Sequence, residues 1–430
     1  MPGSEISRRN VLKMISAAGF CLGTSGCVGL YNAQRKIEDL MLAQFELIPL
    51  FQVGLVSDYI NYRIPGITVT QQGSLLACCE ARKSSSSDWA TIDILLRRSP
   101  DGAKTWSAPV KINPDNLQVP RNQIALKQNT ASSMDHTFNN PVLIADRQPG
   151  LVHLLFCAEY ERCFYMRSRD DGISWSSPEE ITTAFEELRP VYNWRVIATG
   201  PGHGIQLQRG ACTGRLLVPI WISTGTGAGA HRPSAVSTLY SDDGGATWHT
   251  GEIVVDNNPV IINPSETAAV ELEDGQVMLN IRSESTFYRR VVSTSADGAT
   301  HWSLPLADEA LYEPICSASI QRLSFQPAHQ RNRILFSNPN SQATRDPKQA
   351  WGRRENLTVR LSYDEGKTWP VSKVIDAGPG GYSDLAVSPD GTIYCVYEGS
   401  GSKKDIFMNT KLTVAKFNLA WLTDGKDVEL

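Results

Sequence analysis

The chain lacks the features that mark most nucleic-acid-binding and membrane-spanning proteins. Its 430 residues carry a formal net charge of only −4, and no run of basic residues with interleaved aromatics occurs. A partner that needs a strongly basic surface, nucleic acid above all, is therefore not expected. After the leader described below, no apolar stretch is long enough to cross a bilayer as a helix.

The chain also lacks the cysteine spacings that are typical of disulfide frameworks and metal sites. No Cys-x-x-Cys occurs, and two of the nine cysteines, Cys21 and Cys27, fall in the leader, which leaves an odd number. We therefore expect buried free thiols rather than a disulfide framework. Since no cluster of metal ligands emerges, neither a metal nor another cofactor is expected.

The N-terminus has the form of an export signal. Ser7-Arg8-Arg9-Asn10-Val11-Leu12-Lys13 precedes a modestly apolar stretch, free of charges, that runs to about Ala33. This is typical of a twin-arginine signal. We expect a leader over 1–33, a connector over 34–43, and an exported protein that is periplasmic, secreted or lipid-anchored. Thr24-Ser25-Gly26-Cys27 loosely resembles a lipoprotein cleavage site, so membrane attachment through a lipidated Cys27 stays open.

What the chain does contain is one short pattern, repeated five times. Each copy reads Ser-x-Asp, then Gly, and ends on Trp, and each follows a strand-like run. The Asp side chain can bond amides within a turn and Gly supplies a positive φ, so each copy predicts a hairpin turn closed by a packed Trp. A second acidic residue beside the Asp, as at Asp171 or Asp242, also suits calcium, but turn bonding is the simpler interpretation. The copies span Ser99–Trp106, Ser168–Trp175, Ser241–Trp248, Ser295–Trp302 and Ser362–Trp369.

These Asp-boxes predict an all-β fold, a six-bladed β-propeller. Recurrence at roughly 55 to 75 residues indicates repeated supersecondary units. Five boxes account for five blades, and the segment from Tyr382 to about Trp421 supplies a sixth without a box. We expect its outermost strand to come from residues near Glu46 to Val53, so that both chain ends close the ring. The propeller would occupy residues 44–425 as a monomer, with the boxes on the rim away from any active site.

Three arginines, Arg63, Arg282 and Arg354, stand at the ends of strand-like runs. The inner strands of different blades converge on the centre of a propeller, so residues far apart in sequence can meet there. Three guanidinium groups around one point suit a carboxylate, through charge-assisted hydrogen bonds. The alternative, that each is a surface or salt-bridge residue, stays open on these grounds alone.

The motifs around these arginines resemble the exo-sialidases (neuraminidases) of glycoside hydrolase family 33, in the family's order and over nearly the whole mature chain. The resemblance implies a six-bladed propeller that removes terminal sialic acids from sialylated glycans with retention of the anomeric configuration. The matching stretches are Tyr62-Arg63-Ile64-Pro65, Leu75 to Arg82, Ser86 to Ser99, Ala198 to Gly204, Glu266 to Arg282, Asn356 to Arg360 and Gly380 to Leu385.

The same resemblance implies roles for eight residues. Tyr382 would be the nucleophile, Glu266 its base, and Asp88 the acid that protonates the leaving oxygen and later activates water. The substrate-binding residues would be the carboxylate-clamping triad Arg63, Arg282 and Arg354, with Arg82 near the C4 substituent of the sugar and Glu398 orienting Arg63.

A phenol suits this substrate because sialic acid carries a carboxylate on its anomeric carbon, which would repel an anionic nucleophile. Ionising a tyrosine at pH 7 costs roughly 4 kcal/mol. The neighbouring arginines and the base would have to offset that cost. Trp89 could cover the sugar or partly desolvate Asp88, which would raise the pKa of Asp88.

Several assignments have rivals in the sequence. Glu271 competes with Glu266, Asp93 competes with Asp88, and Arg353 and Arg360 flank Arg354. Two other functions also compete: a propeller glycosidase acting on neutral sugars, and an inert propeller that only binds glycans or proteins. The three arginines argue against the first, and the presence of the whole catalytic set argues against the second.

Overall fold

Strands and tight turns alternate along the chain and form six sheets, which confirms the predicted six-bladed β-propeller. The computed structural model describes residues 42–117, 119–128, 136–226, 230–344, 353–399 and 407–428. The predicted leader and nearly all of the predicted connector lie outside these residues.

The strands are numbered along the chain. The first, β1 (Phe45–Gln52), belongs to the last blade. Blade 1 contains β2 (Asn61–Val69), β3 (Leu75–Arg82), β4 (Ile92–Ser99) and β5 (Val110–Lys111). Blade 2 contains β6 (Phe138–Ala145), β7 (Val152–Ala158), β8 (Arg162–Ser168) and β9 (Glu179–Glu180), with β11 (Gly202–His203) alongside β6. Blade 3 contains β10 (Val196–Thr199), β12 (Ile205–Gln206), β13 (Leu216–Ser223), β14 (Ser234–Ser241), β15 (His249–Thr250) and β16 (Val255–Asp256).

The other three blades have four strands each. Blade 4 contains β17 (Thr267–Glu271), β18 (Val277–Ile281), β19 (Arg289–Ser295) and β20 (Leu306–Tyr312). Blade 5 contains β21 (Ser319–Ser324), β22 (Arg333–Pro339), β23 (Glu355–Ser362) and β24 (Val371–Pro379). Blade 6 contains β25 (Ser383–Val387), β26 (Ile393–Glu398), β27 (Lys411–Phe417) and β1.

Helices are few and short. Those within the described ranges are α1 (Gln123–Gln128), α2 (Leu419–Leu422) and two 3₁₀ helices, Thr182–Leu188 and Gln342–Thr344. Among the described residues, no helix combines the length and the apolar character needed to cross a membrane.

Blade 6 closes the ring with both ends of the described chain, as expected. Strand β1 pairs antiparallel with β27, with Phe45 opposite Phe417 and Gln52 opposite Lys411. The Phe45 ring also stacks on Trp421 of α2, with ring centroids 4.4 Å apart. Because β1 covers the outer edge of β27, the strand that ends the propeller is paired on both sides.

The five Asp-boxes are the turns between the third and fourth strands of blades 1 to 5. In the first box, the Ser99 hydroxyl donates to Asp101 at 3.0 Å, and Asp101 accepts from the Thr105 amide at 2.9 Å and hydroxyl at 2.6 Å. The other four boxes repeat this pattern. The turn interpretation is therefore confirmed.

The second acidic residues of the boxes are engaged elsewhere. Asp171 pairs with Arg98, and Asp242 lies 2.7 Å from Arg215. Within the described ranges, no three His, Cys, Asp or Glu side chains are grouped in a way that could hold a metal ion.

The hydrophobic core lies between neighbouring blades. Leu76 and Ile94 of blade 1 pack with Leu143 and Leu154 of blade 2, and the Trp248 ring of one box packs 5.4 Å from Tyr165 of the preceding blade. All seven cysteines after Cys27 are free thiols, as predicted, and all but Cys212 are buried.

Strand direction determines where functional residues gather. Consecutive strands of a blade are antiparallel, so the start of the first strand and the end of the second strand lie at the same face of the ring. The third strand therefore ends at the opposite face, where the Asp-boxes lie. Residues before β17 and β25, and after β18, are thus brought to one mouth, far from the boxes.

Candidate active site

A pocket of about 190 Å³ opens at this mouth. Six of the eight sequence-predicted site residues line it, and the other two, Arg82 and Glu398, lie just beneath and contact the lining. The six are Arg63, Asp88, Glu266, Arg282, Arg354 and Tyr382.

Tyr382 and Glu266 meet at the centre of the pocket. The Tyr382 hydroxyl donates to Oε1 of Glu266 and accepts a hydrogen bond from Arg282 Nη1 at 2.9 Å. Arg282 Nη1 also donates to Oε2 of Glu266. Glu266 precedes β17 and Arg282 follows β18, so the pairing of these strands sets the two side chains next to each other. The arrangement joins a buried phenol to a proton acceptor and a cation.

Two further arginines surround the Tyr382 ring. The guanidinium carbons of Arg63 and Arg354 lie 5.1 and 5.3 Å from the ring centroid. Arg354 Nη2 donates to the carbonyl of Ile315 at 2.6 Å. In the part of the chain that the structure describes, Arg63 Nη2 and Arg354 Nη1 are buried and make no hydrogen bond. Buried donors in this state suit an anionic ligand, since leaving them unpaired is costly.

Glu398 fixes the position of Arg63 beside Tyr382. Its Oε1 accepts from Arg63 Nε and from the Ile64 amide, both at 3.1 Å, and its Oε2 accepts from the Tyr382 amide at 3.2 Å. A Cβ at Gly381 would lie only 2.1 Å from Oε2 of Glu398, so glycine is required there. The carboxylate thereby ties the first strand of blade 1 to the start of β25.

Asp88 lies on the loop between β3 and β4, with its side chain 43% exposed. Its Oδ1 is 2.9 Å from Arg82 Nη2 and 3.7 Å from Arg63 Nη1. Burial acts to raise the pKa of Asp88, but the two guanidinium groups outweigh it and hold the pKa well below its usual range.

The pKa of Asp88 is thus lowered and not raised as expected for a residue next to Trp89, although burial does act in the expected direction. Trp89 is only 5% exposed, and its ring packs 4.9 Å from Tyr160 and 5.4 Å from His231. It anchors the loop in an aromatic cluster, while the charges that decide the pKa come from the arginines on β2 and β3.

The pKa of Tyr382 also differs from expectation. Burial raises it, the charge of Glu266 raises it further, and the three arginines lower it by less. In the resting protein the arginines thus do not offset the free-energy cost of ionising Tyr382. The sequence analysis expected that they would, together with the base. In the resting protein Tyr382 is therefore a neutral phenol, which donates its hydrogen bond to Glu266.

The rivals of the predicted residues lie outside this pocket. Asp93 accepts hydrogen bonds from Tyr59 and Asn113, each at 2.8 Å. Glu271 lies at the far end of β17, where its carboxylate accepts hydrogen bonds from backbone amides. Arg353 is exposed and lies 4.0 Å from Glu355. Arg360 lies on β23 within 3.4 Å of Asn338. The structure thus places Asp88, Glu266 and Arg354 in the pocket and leaves their rivals in the sequence outside it.

One wall of the pocket was missed by sequence reasoning. It comes from blade 3 and its loops, with Trp221, His231 and Arg232, and from Phe407, whose ring lies 5.3 Å from the Arg63 guanidinium. Trp221 looks like an ordinary core residue of a strand, and the other three belong to no motif. Only the ring geometry brings them to the arginines.

The chain is similar to known sialidases in sequence and in fold. A family model described as a BNR repeat-like domain matches residues 73–395. A sialidase from Micromonospora viridifaciens is 33% identical over 383 residues, covering 84% of this chain and 52% of that protein. A sialidase from Bacteroides fragilis is 28% identical over 358 residues, covering 79% of this chain and 60% of that protein. The solved structure of the Hadza microbial sialidase Hz136 matches with a TM-score of 0.65 and 25% identity, over 85% of this chain and 67% of the other.

The chain thus spans a little over half the length of these two bacterial relatives. The resemblance to sialidases that the motifs indicated is confirmed, both in sequence and in the propeller fold.

Proposed function

This chain belongs to the BNR repeat-like family, and we propose that it is a retaining exo-sialidase, which hydrolyses terminal α-linked sialic acids through a covalent tyrosyl intermediate. One observation carries the proposal: the buried Tyr382 hydroxyl is bonded to both Glu266 and Arg282 in a pocket with two further arginines. A neutral sugar would leave these cations unmatched, whereas sialic acid brings a carboxylate on its anomeric carbon.

Binding begins with the carboxylate of the sugar. Arg63, Arg282 and Arg354 surround the Tyr382 side chain. The buried nitrogens Arg63 Nη2 and Arg354 Nη1 are available to donate hydrogen bonds to the anion. Planar guanidinium groups suit a carboxylate because they offer paired N–H donors. The clamp holds the anomeric carbon, which bears that carboxylate, close to the Tyr382 hydroxyl.

Attack follows without a free phenolate. As the Tyr382 oxygen approaches the anomeric carbon, Glu266 takes the phenolic proton, so the nucleophile carries no full charge toward the substrate carboxylate. Sialidases with a tyrosine nucleophile are an exception to the two-carboxylate scheme of most glycosidases. The arginines stabilise the substrate carboxylate while the ring becomes oxocarbenium-like.

Asp88 is the acid of the first step and the base of the second. It donates a proton to the leaving glycosidic oxygen, and then activates the water that releases the sugar from Tyr382. Each step inverts the anomeric carbon, so the two together retain its configuration. The exposed edge of Asp88 faces the mouth of the pocket, where a leaving glycan must lie.

The location of the protein forms a separate part of the proposal and depends on the N-terminal sequence. The Arg8-Arg9 motif supports export by the twin-arginine route, and Thr24–Cys27 supports a lipid anchor at Cys27. Replacement of both arginines by lysine should abolish export. Fatty-acid labelling that persists in a Cys27→Ala variant would contradict the anchor.

Turnover of a fluorogenic sialoside tests the function directly. Wild type should be active, while Tyr382→Phe and Asp88→Ala should lose most activity. Tyr394→Phe, which changes another buried tyrosine in blade 6, is the matched control and should keep it. Equal rates in all four proteins would overturn the proposal.

The intermediate requires its own measurement. A 3-fluorinated sialosyl fluoride should accumulate on the protein, because the electron-poor ring slows hydrolysis. Peptide mass spectrometry should then find the added sugar on Tyr382, and proton NMR should show the α-anomer as the first product.

A further inference from the structure

The guanidinium group of Arg63 lies next to the proposed acid, Asp88, and also belongs to the three arginines proposed to bind the substrate carboxylate. Its Nε donates to Glu398 at 3.1 Å, and its Nη1 lies 3.7 Å from Asp88 Oδ1. Among the described residues, its buried Nη2 makes no hydrogen bond. The nitrogen that remains for a substrate carboxylate therefore belongs to the same group that faces Asp88.

In the free protein, Asp88 is in the wrong state to act as an acid. Arg82, 2.9 Å away, and Arg63 keep the carboxyl ionised near neutrality, despite the burial that opposes it. An ionised carboxylate has no proton to give to a leaving oxygen. The first step of hydrolysis thus needs a proton that the resting site does not hold.

The other titratable groups that face Asp88 do not change this balance. Glu80, on β3, is bound by Arg82 at 2.6 Å. Tyr160, at the β7–β8 turn, stays a phenol because burial raises its pKa. Burial lowers the pKa of His231, which lies on the loop before β14. The two arginines are the main groups that lower the pKa of Asp88, and His231 acts in the same direction by less.

We infer that the carboxylate of the substrate itself makes Asp88 an acid: when it binds Arg63, Asp88 takes up one proton from solvent. The inference rests on the proposed function, because it requires an acidic sugar in the clamp. A second anion on one guanidinium disfavours ionisation of the first, as with two carboxylates that share a site. The solvent proton adds to a carboxylate oxygen of Asp88, and no bond of the sugar breaks in this step.

This coupling would also add to substrate selectivity. A neutral sugar that entered the pocket would bring no charge to Arg63, and Asp88 would remain ionised. Recognition of the acid group and supply of the catalytic proton would then be one event, so that binding and chemistry select for the same feature.

Calorimetry with an unreactive analogue, 2,3-didehydro-2-deoxy-N-acetylneuraminic acid, tests the inference. Heats measured in buffers of different ionisation enthalpy give the number of protons taken up on binding. Wild type should take up protons near pH 6, approaching one per site as the pH falls. Kd should rise by up to about tenfold per pH unit over the range where a full proton is taken up, and level off at higher pH, where uptake vanishes.

Two variants identify the group that takes the proton. Asp88→Asn should bind the analogue without proton uptake. Glu284→Gln is the matched control, since it removes another carboxylate that lines the pocket but is paired with Arg232. It should keep the uptake of wild type.

Wild-type binding without proton uptake, or undiminished uptake by Asp88→Asn, would overturn the inference. Should that variant fail to fold, infrared difference spectra of the wild type decide instead. Addition of the analogue must produce a protonated-carboxyl band that shifts on ¹³C-aspartate labelling, and its absence counts against the inference. A wild-type protein that binds no analogue at all would contradict the proposed function as well.

Discussion

Glu266 and Arg282 lie side by side at the ends of β17 and β18, and the carboxylate of Glu266 bridges Arg282 and the hydroxyl of Tyr382. In the proposed mechanism this bridge gives the carboxylate two tasks: it neutralises Arg282 and it accepts the phenolic proton of Tyr382. Four predictions follow from this centre and from the fold that supports it.

Glu266→Gln should lower kcat about 10²- to 10⁴-fold, the range that loss of a general base costs. The amide keeps a hydrogen bond to Tyr382 but accepts no proton, so KM should change far less. Steady-state kinetics check both constants. Glu271→Gln is the control, since it alters the rival carboxylate at the other end of β17, and an equal loss there would contradict the assignment.

Arg354→Lys should lower kcat/KM for a sialoside about ten- to hundredfold, because an ammonium cannot offer two parallel donors to a carboxylate. Arg353→Lys changes the exposed neighbour and should leave kcat/KM close to that of wild type. If both variants lost activity equally, the clamp would not depend on position 354.

Trp89→Ala should weaken acid catalysis, because the ring anchors the loop that carries Asp88. Sialosides with poor leaving groups need protonation most, so their rates should fall much more than those of activated aryl sialosides. Kinetics over a series of leaving groups measure this contrast.

The matched control is Trp175→Ala, which removes a packed box tryptophan on the opposite face. It should lower Tm while keeping the leaving-group dependence of wild type. A uniform loss of rate across the series in Trp89→Ala would show a general structural defect instead.

The Asp-boxes should make the propeller sensitive to acid. Hydrogen bonds within the turns lower the pKa of Asp243 to about 2, and Asp101 and Asp170 behave in the same way. A carboxyl whose pKa is depressed on folding adds stability above its unfolded pKa, near 4, and loses that contribution as the pH falls through about 2. Tm should therefore fall steeply between about pH 4 and pH 2.

Asp243→Asn should be less stable than wild type at neutral pH, and its Tm should fall less over the same acid range. A parallel fall in both proteins would mean that other groups control acid unfolding.

Much of the fold was predictable because it depends on short-range chemistry. Ser99, Asp101 and Thr105 sit within one turn, so their bonding pattern can be recognised in the sequence and counted along it. The pairing of β1 with β27 was also predictable, since a ring with five boxes leaves one blade to be completed by the chain ends.

The electrostatics of the site were not predictable in the same way. The pKa of Asp88 depends on distances to Arg82 and Arg63, which lie on two different strands, and no local pattern contains those distances. The same holds for His231, which reaches the pocket only because blade 3 stands opposite the loop of Asp88. Sequence motifs could identify these residues, but the balance of charges that sets the pKa of Asp88 follows only from the three-dimensional structure.

The closure of blade 6 has a consequence for synthesis. Glu398 lies in the sheet that takes a strand from each end of the propeller, β1 and β27, and Tyr382 directly precedes β25 of the same sheet. Because β27 follows all the strands of the other five blades in the sequence, this sheet cannot be completed until those blades have been synthesised. We therefore expect the pocket around Tyr382 to be the last part of the propeller to form.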